Sequence, residues 1–167
     1  MPSDSPAFRF VSATEQDVPL ILHLIKALAD YEKLSDQVVA IETDLRAALF
    51  GPRPAAEVIL AYADAEPAGF AMYFQTFSTF KGRPGLYLED LFVKPEWRRR
   101  GLGRMLLARL ARIAVERGYG RMEWSVLDWN EMALRVYRAI GARPMEEWTV
   151  YRINGGPLRD LAARDPL

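Results

Sequence analysis

Three arginines and two glycines stand directly before a helix-patterned apolar stretch in the segment EWRRRGLGRMLLARLARIAVERG, residues 96–118. The free N–H groups in the first turn of a helix and the positive end of its dipole attract phosphate oxygens, and glycine lets a ligand approach the backbone closely. Four arginines would add positive charge at the same place: Arg98, Arg99, Arg100 and Arg104. The segment therefore predicts a pyrophosphate site, with a solvated basic turn as the simpler alternative.

The loop departs from two common phosphate-binding motifs. A Walker A loop has Gly-Lys followed by Ser or Thr, whereas GLGRML contains no Lys, Ser or Thr. A dinucleotide-binding fingerprint has a third glycine, but Leu106 occupies that position. Glu123 does follow about twenty residues later, as that fingerprint requires, although it lies inside the next predicted strand. ATP and GTP are therefore disfavoured, and dinucleotide binding remains an alternative that rests on glycine spacing alone.

Two carboxylates interrupt the run LYLEDLFV, which is otherwise typical of a strand buried on both faces. Because neighbouring side chains of a strand point to opposite faces, Glu89 and Asp90 cannot both lie on one solvated face. A buried carboxylate without a partner is costly or takes up a proton, so the pair indicates either a basic partner, a helix cap or a functional site. Tyr137 follows Asn130 by two helical turns, and it is an ordinary core tyrosine unless a leaving group lies nearby.

The composition excludes several kinds of chemistry. The 167 residues include no cysteine, which excludes disulfides, thiolate metal sites and an acyl-cysteine intermediate. The single histidine, His23, excludes multi-histidine metal sites, and helical spacing makes it a surface or boundary residue. Basic and acidic residues number 22 each, so no overall field attracts nucleic acid or an anionic membrane. We expect an enzyme of this composition to use carboxylates, tyrosines and backbone amides, without a metal.

The N-terminal segment MPSDSPAF has neither the cationic stretch nor the apolar core of a signal peptide. No later apolar run approaches the length of a membrane span. We therefore expect a soluble, cytoplasmic protein. The length predicts one domain over residues 1–167, with residues 1–7 as a flexible tail.

Hydrophobic periodicity and turn residues predict an alternation of strands and helices. The predicted strands cover residues 8–13, 56–63, 68–77, 86–93, 121–129 and 147–153, and the second and third form a hairpin around a turn at 64–67. The predicted helices cover residues 14–31, 40–50, 101–117, 130–140 and 155–165. A helix connects strand 86–93 to the strand that begins at 121, so these two strands should be parallel. The predicted fold class is α/β (α+β), with a mixed, mostly antiparallel sheet flanked by helices.

The segment LYLEDLFVKPEWRRRGLGRMLL, followed by VLDWNEMALRVYRAIGA, resembles the GCN5-related N-acetyltransferase (GNAT) superfamily. That superfamily binds the pyrophosphate of acetyl-CoA with the motif Arg/Gln-x-x-Gly-x-Gly/Ala, which Arg98, Gly101 and Gly103 fit. LIKALADYEKLSDQV, GFAMYFQTFSTFKGRPGLYLED and LDWN extend the resemblance to the diamine (spermidine/spermine) acetyltransferases and their thialysine-acetylating relatives, over residues 8–162. The resemblance implies a sheet whose central parallel strand pair splays around acetyl-CoA, and a homodimer formed through C-terminal strands.

The resemblance also implies a role for each candidate residue. Glu89 would lie beside the acceptor amine and Tyr137 near the thioester sulfur, which makes them the candidate catalytic residues. Asn130 would contact the pantetheine arm of the cofactor. The amine pocket would be lined by Tyr31, Glu32 and Asp90. Backbone groups would contact the pantetheine at Leu91, Phe92 and Val93, and the pyrophosphate at Arg98, Arg99, Arg100, Gly101, Leu102, Gly103 and Arg104.

The implied reaction is direct transfer of acetyl from acetyl-CoA to a primary amine of a small cationic acceptor. Glu89 would remove a proton from the ammonium through water, a backbone N–H near Val93 would stabilise the oxyanion, and Tyr137 would protonate the leaving sulfur. Ser78 replaces an acidic residue of the polyamine-specific members, which favours a thialysine-like acceptor over spermidine. Two alternatives remain: a catalytically silent module that binds or senses acetyl-CoA, and nucleic-acid binding through the arginines, which the zero net charge disfavours.

Overall fold

The computed structural model describes residues 7–166, so the expected flexible tail lies outside the described residues except for Ala7. The chain forms two compact units, one up to Leu127 and one from Asp128. Within residues 7–166, no helix has the length and apolar character needed to cross a membrane. The first unit holds the sheet and most of the predicted site.

The sheet of the first unit has five strands in the order β1-β2-β3-β4-β5. All neighbouring pairs are antiparallel except β4 and β5, which are parallel as predicted. The strands are β1 Phe8–Ser12, β2 Glu57–Ala63, β3 Glu66–Ser78, β4 Arg83–Val93 and β5 Met122–Trp124. The helices of this unit are α1 Val18–Tyr31, α2 Glu42–Phe50 and α3 Leu102–Glu116. Single 3-10 turns lie at Glu15–Asp17, Ser35–Gln37 and Pro95–Trp97.

Helices cover both faces of this sheet. On one face, α1 and α2 pack on the strands in a core formed by Ile21, Leu24, Leu28, Leu49, Val58, Leu60, Phe70, Met72 and Phe92. On the other face, α3 lies against β4, where a Cβ built on Gly103 would be 4.0 Å from side-chain atoms of both Leu91 and Val93. The apolar stripe of α3 is buried there, at Leu102, Leu106, Leu107, Leu110 and Ala114. The sequence pattern predicted the amphipathic helices α1 and α3 because apolar residues recur on one face of each.

Local signals set the start of α1. The backbone N–H of Thr14 donates to Asp17 Oδ2 at 2.7 Å, and the Thr14 hydroxyl donates to the same oxygen at 2.9 Å. Pro19 lies in the first turn of α1, where its missing N–H costs nothing because that group has no acceptor in the helix. The pattern TEQDVP therefore stops β1 and starts the helix that ends at Tyr31.

Three strand boundaries differ from the prediction by more than one residue. The β2–β3 turn contains only Asp64 and Ala65, because Ala63 pairs with Glu66 and Asp64 adopts a φ of 53°. Aspartate tolerates this left-handed conformation better than most residues. β4 begins at Arg83, three residues before the predicted start, and it includes Pro84. β5 ends at Trp124 because its ladder to β4 stops there.

The described residues of the second unit form two helices, α4 Glu131–Ala139 and α5 Gly155–Ala162. Gly141 has a φ of 84° just after α4, as predicted for a glycine that ends a helix. The predicted strand 147–153 is wrong: these residues form an irregular segment. No strand is present among the described residues of this unit. A single extended segment has no neighbouring strand to which its backbone N–H and C=O groups can hydrogen-bond.

Candidate active site

The parallel pair at the centre of the site separates after a short ladder. Leu86, Tyr87 and Leu88 pair with β5, and the described residues give β4 no strand partner on that side from Glu89 to Val93. The splayed strand pair expected from the resemblance is therefore confirmed. Backbone groups along this open edge of β4 can bind an extended chain in the way that an added strand does. Of the residues predicted to contact the pantetheine, Phe92 is buried in the α1 core, whereas Leu91 and Val93 lie on the α3 face.

A β-bulge lies in the middle of the predicted site. Asp90 pairs with Met72, but the next β3 residue, Tyr73, pairs with Leu88, so Glu89 is an extra residue in β4. Simple alternation would place Asp90 on the same face as Leu88. The bulge instead puts Asp90 opposite Met72, on the face that α1 covers. The face of Asp90 is therefore set by the bulge and not by simple alternation along β4.

Three acidic side chains form what we call the acid cluster: Glu32, Glu89 and Asp90. Burial raises the pKa of Asp90 to about 6, and the negative charges of Glu89 and Glu32 contribute to the rise. Burial also raises the pKa of Glu32 above its usual value. Within residues 7–166, none of the three is in an ion pair. The cluster is a concentration of uncompensated negative charge at the end of α1, which suits a cation.

The predicted phosphate loop has the geometry that an anion needs. Gly101 stands immediately before α3 with a φ of 82°, a conformation that favours glycine, and no heavy atom lies within 4 Å of a Cβ built there. No side chain caps the helix start, and the first-turn amides have no acceptor within the helix. Arg99 and Arg100 are exposed beside this start. The residues present therefore fit the pyrophosphate of acetyl-CoA.

Arg98 makes contacts that the sequence did not predict. Its Nε donates a hydrogen bond of 2.9 Å to the carbonyl oxygen of Val93. Its guanidinium lies over the ring of Tyr31, 4.3 Å from the centroid, and 5.6 Å from the centroid of Phe92. Arg98 thus joins the end of β4, the start of the phosphate loop and the last residue of α1.

Two further predicted residues belong to the second unit. Asn130 precedes α4, and its side-chain oxygen accepts a hydrogen bond of 3.2 Å from the N–H of Ala133. This contact gives Asn130 a helix-capping role within the unit. Tyr137 lies in α4, and its carbonyl accepts a hydrogen bond of 3.0 Å from the N–H of Ala142.

The first unit brings the acid cluster, Tyr31 and the phosphate loop to one end of β4. Ser78 lies elsewhere: it pairs with Arg83, about 23 Å along β4 from Asp90, and its buried hydroxyl accepts a hydrogen bond from the N–H of Lys81. Ser78 therefore lies outside the acid cluster of its own chain and does not support the argument about the acceptor. His23 is exposed, as predicted. Within the described part of the chain, no group of three potential ligands could hold a metal.

Sequence analysis missed Gly69, which sets the approach of β3 to this end of β4. A Cβ at Gly69 would overlap the carbonyl oxygen of Phe92 and lie 3.2 Å from the Cα of Val93. The signal was present, because a glycine inside a strand indicates a close backbone approach. Gly69 lets the two strands meet where β4 leaves the sheet.

Comparisons with known proteins agree on one enzyme family. The model of the acetyltransferase (GNAT) family matches residues 24–142. A thialysine N-epsilon-acetyltransferase of Bos taurus is 40% identical over 163 residues, covering 91% of this chain and 95% of that one. An L-ornithine N5-acetyltransferase of Arabidopsis thaliana is 30% identical, covering 89% and 85%. An integron cassette protein from the mobile metagenome of V. cholerae superposes with a TM-score of 0.78 at 28% identity, covering 93% and 97%.

A helix start open to an anion, beside a parallel strand pair that separates, fits the class of acyl-CoA-dependent transferases to which these relatives belong. The chain belongs to the acetyltransferase (GNAT) family. It is an N-acetyltransferase that uses acetyl-CoA as its co-substrate, and the predicted fold class and enzyme class are confirmed.

Proposed function

We propose that the protein acetylates a primary amine of a small cationic acceptor, either a thialysine-like or lysine-like amino acid or a short diamine. The observation that carries this proposal is the acid cluster, in which burial and like charge disfavour the ionised form of Asp90. A cation in the pocket would relieve this repulsion, so the cluster should select an acceptor with a positive charge besides its reacting amine. Relatives named for thialysine and L-ornithine acetylation support the same class.

Bound acetyl-CoA supplies the activated acetyl group as a thioester. Glu89 is the exposed extra residue of the bulge, and we assign it the removal of a proton from the acceptor, directly or through water. Backbone amides of β4 near Val93 bind the developing oxyanion. Tyr137 donates a proton to the departing sulfur. Asn130 and the residues from Leu91 to Val93 bind the pantetheine, and Arg98 to Arg104 bind the pyrophosphate. Because the chain has no cysteine, no acyl-cysteine intermediate can form, and we assign direct transfer in a ternary complex.

The proposed enzyme is cytoplasmic and consists of one N-acetyltransferase domain that includes both compact units. The family model supports a single domain because residues 24–142 cross the boundary at Leu127.

We also propose a homodimer formed through residues 147–153. The apolar and aromatic side chains of this segment are exposed, including Trp148, Val150 and Tyr151, and a partner chain would cover them.

The proposal is tested by an acetyl-CoA turnover screen over amino acids, diamines, polyamines and uncharged amines, followed by Glu32→Gln. Loss of a charge-assisted contact of about 1.5 kcal/mol should raise KM for the best amine about tenfold and leave KM for acetyl-CoA unchanged. Glu66→Gln removes an exposed carboxylate at the start of β3 and serves as the control, with wild-type kinetics.

Two outcomes would contradict the proposal. One is a best acceptor that carries no positive charge beyond its reacting amine. The other is a Glu32→Gln variant that behaves like wild type with every amine. Acetyl-CoA binding without turnover of any amine would favour the sensing module instead.

A further inference from the structure

The side chain of Arg98 crosses from the phosphate loop to the face of the sheet that α1 covers. Its backbone lies three residues before Gly101, at the entrance to the loop. Its guanidinium rests on Tyr31 and Phe92, and Phe92 belongs to the α1 core. Tyr31 is the last residue of α1 and directly precedes Glu32 of the acid cluster. One side chain therefore contacts both the cofactor loop and the segment that carries the amine pocket.

Each part of the Arg98 side chain has a different use. The Nε–H is committed to the carbonyl of Val93, which fixes the direction of the guanidinium plane. The face of the plane is committed to the ring of Tyr31 at a distance where a cation–π interaction is favourable. Among the described residues, the terminal nitrogens have no hydrogen-bond partner, so they can still bind a phosphate oxygen. A phosphate held there would hold the guanidinium against Tyr31.

We propose that Arg98 is a positioning residue that couples the two substrate sites: occupation of the phosphate loop orders the end of α1, and with it Tyr31 and Glu32, for the acceptor. The coupling must be reciprocal, so an acceptor bound at the end of α1 also strengthens cofactor binding. The expected effect on amine binding rests on the proposed acceptor class, whereas the expected ordering of α1 rests only on the contacts of Arg98.

The test is amide hydrogen exchange of residues 28–37 with and without saturating CoA. In the wild type, we expect CoA to slow exchange in this segment by at least about fivefold, the lower end of typical coupling between sites. Arg98→Lys keeps the positive charge but loses the planar stack and the Nε–H, so CoA at a saturating concentration should leave exchange there within about twofold of the free enzyme. Unchanged protection in this variant would overturn the proposal.

Matched variants separate coupling from general damage. Tyr31→Phe keeps the ring and should keep the protection, whereas Tyr31→Leu should lose it as Arg98→Lys does, and the double variant should add nothing. Arg99→Lys alters the same loop without touching Tyr31, so its affinity for CoA is expected to fall while protection at saturation persists. If Arg99→Lys loses the CoA-dependent protection as Arg98→Lys does, or if Tyr31→Leu retains it, the contact between Arg98 and Tyr31 is not the route of coupling.

A second measurement uses thialysine as the amine probe. We expect CoA to lower the Kd of thialysine at least about fivefold in the wild type and less than about twofold in Arg98→Lys. If thialysine, lysine and the short diamines all fail to bind, but CoA protects residues 28–37 through Arg98, the acceptor class fails and the ordering stands. If thialysine binds and is acetylated without CoA-dependent protection, the acceptor class stands and the inference about Arg98 fails.

Discussion

Gly101 shows how a single backbone conformation can prepare a phosphate site. Its positive φ turns the chain into α3, and the open space around it leaves room for the ligand. We predict that Gly101→Asp reduces the affinity for acetyl-CoA at least about tenfold, or 1.4 kcal/mol, because it places a side chain and a negative charge where the phosphates bind. Isothermal titration calorimetry measures this change directly.

Gly118 provides a matched control for that substitution. It also has a positive φ, 69°, and open space around it, but it lies beyond the other end of α3. Gly118→Asp should therefore carry similar backbone strain and bind acetyl-CoA as the wild type does. If folded Gly101→Asp binds acetyl-CoA as tightly as the wild type does, the cofactor does not bind at this loop.

We propose that Tyr137 donates a proton to the departing sulfur. Tyr137→Phe keeps the ring and its packing, so we predict a lower kcat with nearly unchanged affinity for acetyl-CoA. Tyr62→Phe is the control, because the ring of Tyr62 contacts Arg9 at the β1 end of the sheet, away from the site. A normal kcat, under conditions where chemistry limits the rate, would exclude Tyr137 as the acid.

Asp90 makes stability depend on pH in an unusual direction. Its pKa of about 6 exceeds the ordinary value of 3.8, so between these values the native state binds more protons than the unfolded state. Stability contributed by the protonated group is therefore complete below about pH 4 and is lost as the pH rises through 6. We predict that Asp90→Asn is more stable than wild type at pH 8 by roughly 2–3 kcal/mol, and that the difference disappears near pH 4.

Urea denaturation at the two pH values measures this difference. Asp36→Asn, in an exposed 3-10 turn, is the control and should change little at either pH. A stability gain for Asp90→Asn that is as large at pH 4 as at pH 8 would show that packing, and not charge, causes it.

At the scale of elements, the approach of β3 to β4 depends on Gly69. We predict that Gly69→Ala destabilises the protein by about 1–3 kcal/mol, since the added Cβ forces the two strands apart at Phe92 and Val93. The same displacement should lower the affinity for acetyl-CoA. Thermal denaturation and cofactor titration report the two effects, with Gly156→Ala as the control because nothing lies within 4 Å of its added Cβ. A Gly69→Ala protein as stable as the control would contradict the close approach.

Periodicity predicted the helices and the β2–β3 hairpin because each depends on residues close together in the chain. Thr14 and Asp17 at one helix start, and Gly101 at another, are local signals that need no tertiary information. The bulge at Glu89 could not be predicted, because it depends on the register between β4 and β3. The stack of Arg98 on Tyr31 joins residues from distant parts of the sequence and was likewise invisible. Residue types and the family resemblance thus supplied the candidates for the site, and strand register decided the face on which Asp90 lies.

At the scale of the whole molecule, the proposed homodimer rests on the exposed apolar side chains of residues 147–153. We predict that light scattering at micromolar concentration gives twice the monomer mass of 19.0 kDa. Val150→Asp should shift the protein to the monomer, because it introduces a charge into the proposed interface. Val115→Asp, at an exposed position on α3, should remain dimeric. A monomeric wild type would overturn the proposed assembly.

The order of the strands also has a consequence for how the protein folds. β2, β3 and β4 follow one another in the chain and pair as neighbours, whereas β1 and β5 each join the sheet across helical connections. Contacts between residues close together in the chain form at a lower entropic cost, so the three-stranded meander β2–β3–β4 should form early in folding. Destabilising substitutions within this meander should therefore lower the folding rate. The bulge that positions Asp90 belongs to this meander, while α3 and β5 dock later and mainly affect unfolding. During synthesis, the part of β4 proposed to bind the amine would therefore take shape before α3, the helix proposed to bind the cofactor, has left the ribosome.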